Sequence, residues 1–369
     1  MLKLSDLIHN ANIGVVDAFL NSIPKKTIEV IKSLFSWDIM ESEAYFGNPL
    51  GYQGIDSAYK LASDWKCLTR VNNEGSIDSE FGQIFHKKSY ETISNAMLED
   101  IVSDYLAVGC NVEHVGEFKG GRIVYVQLSS DQLGSRLIGG HDENKGLITL
   151  INSHDGSFAF TVKLDLFRIF CSNQFSAIKK AKSNCIIRHT KSANIKLDEL
   201  RNEINNLSET YNRIMLNIDL LNNVRITDAS SLLHDGKTAD NLRRDFFIEL
   251  LQVKKQPVKE ELGSFSRFNP LMVKTGLDYT TRAKNRLNAL ERAYNHQKQS
   301  TLGHNLWRLL NAVTFHVDHD RLCANENQRS KGYSMVGKGS ELKQRAYKLL
   351  LEKAHKFNRE NRAMDVTPY

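Results

Sequence analysis

Residues 146–175, GLITLINSHDGSFAFTVKLDLFRIFCSNQF, decide the fold. Two apolar, β-branched runs flank His154-Asp155-Gly156. The glycine of an Asp-Gly pair supplies the positive φ that a tight turn needs, so the stretch reads as a β-hairpin. Its second run continues into Phe167-Arg168-Ile169-Phe170-Cys171-Ser172-Asn173. Alternate residues of a strand share a face, which sets Arg168 in one row with Leu164, Leu166 and Phe170. An unpaired buried guanidinium is very costly. Arg168 therefore needs either an internal carboxylate, Asp165 or a more distant one, or an anionic ligand such as a phosphate. Asn173 either takes the positive φ that ends the strand or contacts a base or backbone group.

On the N-terminal side, residues 1–60 read as helical and irregular, with a short amphipathic helix over 26–37 and a Gly/Asn-Pro loop over 46–52. Strands are predicted over 65–71 and 81–85, joined by the turn at 72–75. A helix starting near Ser89 carries Ile93, Met97, Ile101 and Tyr105 on one stripe. Two strands, 112–118 and 122–128, flank Lys119-Gly120-Gly121, and 131–145 reads as loop with an exposed His141-Asp142-Glu143. Residues 61–190 thus form a largely antiparallel α+β core.

Beyond it the periodicity becomes helical. Leu197, Leu200, Ile204, Leu207, Tyr211, Ile214, Ile218 and Leu221 step by three and four, a heptad seam. It packs either on the chain's own helices or on a second copy as a homo-oligomer. Further helices are predicted over 240–253, 281–296, 302–319 and 341–356, giving a helical region from 191 to 369. The fold class is α+β: an antiparallel sheet core with a helix, then a mostly helical C-terminal half.

The 369 residues leave room for two domains, and 41% apolar with 25% charged residues is ordinary for a soluble globular chain. No apolar run reaches the roughly 20 residues of a membrane span. The N-terminus has no unbroken apolar signal region, so the expectation is a cytoplasmic protein with no membrane contact. Five widely spaced cysteines argue against a disulfide framework or a zinc-thiolate site.

The net charge of +6 is unevenly spread. Residues 241–369 hold 24 Lys and Arg against 13 Asp and Glu, a net +11, leaving −5 on residues 1–240. A positive C-terminal third points to a polyanion, and nucleic acid is the expected partner. The candidate contacts are Arg168, Asn173, Arg188, Arg243, Arg244, Lys254, Lys255, Arg282, Lys284, Arg286, Lys343 and Arg345. Tyr279, Tyr294, Trp307, Phe315 and Tyr333 are interleaved and offer faces for stacking on bases, although aromatics at helical spacing commonly form core. No catalytic set is evident and no cofactor is expected. Gly332 to Gly339 only loosely resembles a phosphate loop, since Gly339 stands where Ser or Thr should bind magnesium. His316-x-Asp318-His319-Asp320, His141-Asp142-Glu143 and His154-Asp155 are the ligand-like clusters a metal-dependent nuclease would use. The other alternative is a non-enzymatic interaction protein, a counter-defence factor or self-assembling scaffold using the heptad seam.

Several stretches resemble the phage/plasmid-like proteins grouped as domain of unknown function 932. They are Leu68-Thr69-Arg70 with Phe81-Gly82-Gln83, Asn152-Ser153-His154-Asp155-Gly156-Ser157, the Phe167 to Asn173 segment, and Arg188-His189-Thr190. Leu306-Trp307, Val317-Asp318-His319 and Gly337-Lys338-Gly339-Ser340 continue the likeness. The resemblance implies a mobile-element setting and implies no activity.

Overall fold

The computed structural model describes residues 34–47, 59–72, 74–169, 173–176, 186–193, 204–226, 239–261, 272–296, 299, 301–320, 335 and 337–365. Among them the fold is α+β, with antiparallel sheets and helices concentrated in the C-terminal half. The chain divides into two compact units. One draws on Met1–Arg136, Asn144–Phe167 and Ser176–Arg213, the other on Leu137–Glu143, Arg168–Phe175 and Ile214–Tyr369. A division of the sequence near residue 190 does not reproduce this interleaving.

The first unit opens with a three-stranded antiparallel sheet, β1 (Trp37–Gly47), β2 (Tyr59–Asn72) and β3 (Ile77–His86), in that order. Strand β1 departs from the helical reading of residues 1–60. Its apolar residues follow no clean period of two, because the strand bulges between Glu43 and Tyr45. Helix α1 (Asn95–Ala107) starts later than Ser89, where the Ser94 hydroxyl accepts from the Met97 N–H at 3.2 Å. Residues 89–93 are held off the helix by other partners: Tyr90 stacks on Phe85, and the Ile93 carbonyl accepts from Asn152 Nδ2 at 2.7 Å.

Strands β4 (Cys110–Phe118), β5 (Ile123–Ser130), β6 (Ser135–Ile138), β7 (Asp142–Ser153), β8 (Phe160–Arg168), β9 (Asn173–Ser176) and β10 (Ile186–Ile187) form the second sheet. Its main path is β10-β8-β7-β5-β4. The predicted hairpin is β7–β8, and β7 extends back to Asp142, so the expected loop over 131–145 is partly strand. Near-continuous burial of β5, β7 and β8 marks strands covered on both faces.

The turn of that hairpin is built into the core. His154 is 1% exposed; it stacks on Phe81 and meets Trp37 edge-on, and its Nε2 lies 3.0 Å from Asn95 Oδ1. Burial, with nearby His189, lowers its pKa from 6.5 to about 3, so the ring is neutral in the folded protein. The unfolded chain takes up this proton near pH 6.5 and the folded chain only near 3. Stability is therefore complete above about pH 6.5 and falls below it, by about 1.4 kcal/mol per pH unit for one such histidine. His154→Gln should flatten that slope in urea titrations between about pH 6.5 and 4. Gly156 sits at φ +67°, and a Cβ there would lie 2.8 Å from Phe85 Cε1. Gly156→Ala should cost at least about 1 kcal/mol, read as a lowered thermal midpoint.

The second unit holds the C-terminal half of helix α2 (Ile204–Asn223), then α3 (Ala239–Leu251), the two-stranded ribbon β11 (Gln256–Glu261) and β12 (Met272–Asp278), α4 (Thr281–Asn295), α5 (Leu306–Phe315), a π-helical turn (His316–Asp320) and α6 (Lys338–Asp365). Every residue of α5 is buried, as befits a central helix packed by α4 and α6. The ribbon was not expected from sequence, because Pro257 breaks its pattern. Of the heptad seam, Tyr211, Ile214, Ile218 and Leu221 are buried within the chain. These four are unavailable to a second copy; Leu197 and Leu200 lie outside the described residues. Among the described residues no helix is long and apolar enough to cross a membrane.

Candidate nucleic-acid interface

Two of the twelve expected contact residues are sealed inside the second unit. Arg168 is 2% exposed; its Nε donates to Asp142 Oδ1 and its Nη1 to Gln299 Oε1 at 3.2 Å. Trp307 Nε1 completes the carboxylate, donating to Asp142 Oδ2 at 2.9 Å. Of the two sequence readings for Arg168, the internal carboxylate is the one found, and it is Asp142 rather than Asp165. Residue 165 is an odd number of steps from 168 and faces the other way, where Thr149 Oγ1 donates to it at 2.6 Å.

Lys343, also 2% exposed, donates to Asp318 Oδ1 and to the Gln174 carbonyl at 2.6 Å. The Gln174 N–H donates to Asp318 Oδ2 at 2.9 Å. Arg168 and Lys343 are thus corrected from ligand-facing to structural. Desolvation makes any exit of these charges expensive, while each carboxylate already satisfies its cation. The Asn173 backbone belongs to β9; its side chain lies outside the described residues.

Two other arginines are used in packing and capping. Arg243 Nε donates to Glu291 Oε2 at 2.6 Å and its Cζ lies 4.8 Å from the Tyr294 ring centroid. Arg345 Nη1 donates to the Leu250 carbonyl at 3.1 Å, at the C-terminal end of α3 where the helix dipole favours a cation. Arg286 is half-buried. Arg188 is exposed in the first unit. Of the aromatics, Tyr294, Trp307 and Phe315 are core, Tyr279 is half-buried, and Tyr333 lies outside the described residues.

The remaining cations gather. Chain direction brings Lys254 and Lys255 just past α3, and the ribbon returns the chain to the same place, since Gln256 pairs with Asp278. Thr280 then caps α4, its hydroxyl accepting from the Ala283 N–H at 3.3 Å, and Arg282 and Lys284 occupy the first turn. Lys254, Lys255, Arg282 and Lys284 are all exposed. Lys255 Nζ lies 5.7 Å from the Tyr279 ring centroid. Asp278 is the local counter-charge. Its hydrogen bond with Lys284 holds its carboxyl below the usual range, with Lys255 acting in the same direction. Arg244 is exposed on α3, about two turns earlier.

A helix N-terminus carries a partial positive charge, so cations in its first turn are disfavoured by about 0.3–1 kcal/mol each. Helix α4 has two there and no acid. The foot of the ribbon is thus a cationic surface with an aromatic ring in it. The sequence pointed to its lysines and arginines by charge count alone. Their convergence depends on a hairpin that the sequence concealed.

The ligand-like clusters resolve differently. Asp142 is engaged with Arg168 and Trp307, His154 is core, and His316 Nδ1 lies 2.9 Å from Asp320 Oδ2. Among the described residues no three His, Cys, Asp or Glu are grouped to hold a metal.

Removing one partner of a buried pair leaves the other charge uncompensated. Asp142→Asn, Arg168→Leu and Lys343→Met should each destabilise by about 3–5 kcal/mol in denaturant titrations. The double variant Asp142→Leu with Arg168→Leu should recover part of that loss, giving a favourable coupling in a double-mutant cycle.

Neither the curated proteins nor the solved structures include a match to this chain. Residues 85–235 match the family model described as Domain of unknown function (DUF932), a span that holds α1, strands β4–β10, Asp142 and Arg168. Over that span the chain is similar to the domain of unknown function 932.

Proposed function

We propose that this protein binds nucleic acid through the foot of the β11–β12 ribbon, as an accessory protein of a mobile element acting in replication or recombination. One observation carries the reading: Lys254, Lys255, Arg282 and Lys284 converge with Tyr279 around the paired ends Gln256 and Asp278. Four exposed cations beside a helix N-terminus are mutually repulsive, and phosphates relieve that repulsion. The exposed Arg244 adds to the same charge on α3. Tyr279 supplies a π-face, which favours a single strand whose bases are free to stack. The mobile-element setting comes from the resemblance described above.

The proposal makes binding strongly salt-dependent. Four phosphate contacts predict a slope of log K against log salt of about −3 for single strands. Anisotropy of a labelled single-stranded oligonucleotide, at about 50 and 200 mM salt, measures this directly. Lys254→Ala with Arg282→Ala should lower affinity at least about tenfold and reduce the slope by roughly 1.4. Tyr279→Ala should weaken single-strand binding by about 1–3 kcal/mol and duplex binding less. Absence of binding at about 50 mM salt would refute the reading.

A further inference from the structure

The three-stranded sheet has two unlike faces. Register assigns Trp37, Leu68 and Arg70 to one of them, and all three are buried. On that face Arg70 lies 4.2 Å over the Trp37 ring and pairs with Glu117 at 3.0 Å and Asp78 at 2.7 Å. The other face is different. Met40 pairs with Thr69, Ile84 with Cys67, Trp65 with His86 and Ile77 with Val71, which puts these pairs in one set of rows.

Met40 is 41% exposed, Trp65 38%, Ile77 63% and Ile84 44%. The bulge shifts the parity of β1 by one residue. Ala44 and Ala62 are buried, while Tyr45 and Leu61, which pair with each other, are 54% and 43% exposed. Six large apolar side chains therefore lie open on one face. The row that β2 contributes (Leu61, Ser63, Trp65, Cys67, Thr69, Val71) contains no charged residue.

Apolar patches on monomers rarely exceed a few hundred Å², and larger ones mark interaction sites. Strands of 11, 14 and 10 residues make up this one. At about 4.8 Å between strands and 3.3 Å per residue, they cover roughly 550 Å² per copy. Two such faces packed together bury about 1,100 Å², just above the roughly 1,000 Å² expected of a specific interface. The rows contain no lysine or arginine; of their two acids, Asp38 accepts from the Asn95 N–H at 2.8 Å and Glu80 stands opposite Thr69, which limits the charge that a twofold interface would bring face to face. Sheets packed face to face are an ordinary solution for such surfaces.

From this we infer that the exposed face of β1-β2-β3 binds the same face of a second copy, forming a weak, twofold, sheet-on-sheet dimer. It is separate from the heptad seam, whose described apolar residues are consumed within the chain. It is also independent of the nucleic-acid reading, since it uses none of those residues.

Sedimentation equilibrium of the full chain over about 1–200 µM tests it, the range that suits an interface of this size. The expected result is a rise from the 42.0 kDa chain mass toward twice that value with concentration. Ile77→Lys with Ile84→Lys should hold the protein at monomer mass throughout. The single change Ile77→Lys, at the most exposed of the six positions, should weaken dimerisation at least about tenfold. Thermal melting of both variants should stay near the parent's, because the side chains are exposed. Leu216→Lys introduces the same charge at an exposed apolar residue of α2 and should leave the dimer intact. A wild-type protein monomeric at about 200 µM would overturn the proposal and assign the face to another occupant. A dimer that survives both lysine changes, or one lost equally with Leu216→Lys, would also overturn it.

Discussion

The second unit rests on a guanidinium that water does not reach. Arg168 and Asp142 stand at the open end of the β7–β8 hairpin, where the Ile169 N–H also donates to the Glu143 carbonyl at 3.0 Å. Such a pair earns little from attraction alone, because two ions have been desolvated to make it. Its value lies in what it demands. The carboxylate has two oxygens and the guanidinium has several N–H groups, and each must be met. Trp307 and Gln299 meet them from segments more than 130 residues away in sequence. Lys343, Asp318 and Gln174 repeat the device and fix the start of α6 against the π-helical turn. Few other arrangements of these segments satisfy both pairs, so the ions select one packing of the helices.

This also explains which parts of the fold were legible in the sequence. The β7–β8 hairpin was written locally, as two β-branched runs around Asp-Gly, and it is present. The helix stripes over α3, α4 and α6 were local too. Strand β1 was hidden by a bulge that shifts its alternation, and the ribbon by Pro257. The demand that Arg168 find a negative partner was readable from its apolar row. The partner was not, because Asp142 looked like one more acid in a glycine-rich loop. Only the extension of β7 to residue 142 makes it the end of a strand.

Charge counts gave a similar mixture. The positive excess of the C-terminal third is a property of composition and says nothing of where each cation points. Lys343 turned inward, while Arg243 and Arg345 became packing and capping groups. Lys254, Lys255, Arg282 and Lys284 stayed outside together. A hairpin returns the chain to its starting point, so cations flanking it in sequence become neighbours in space. The same geometry leaves a two-stranded ribbon, an element of marginal stability by itself, rooted between two helices that pack on each other.

The interleaving of the two units has a consequence for how the protein is made. Asp142 and Arg168 leave the ribosome well before Gln299 and Trp307 exist. At typical synthesis rates of about 5–20 residues per second, the 138 residues between Arg168 and Trp307 take on the order of 10 seconds to emerge. Throughout that interval the charged end of the hairpin has no indole or amide to complete it. The hairpin's core strands are complete earlier, but its rim must wait, hydrated, for the rest of the polypeptide. A fragment cut anywhere between residues 168 and 299 would leave both halves with buried polar groups lacking their counterparts. The second unit closes around Arg168 only once its later segments, those of Gln299 and Trp307, have emerged.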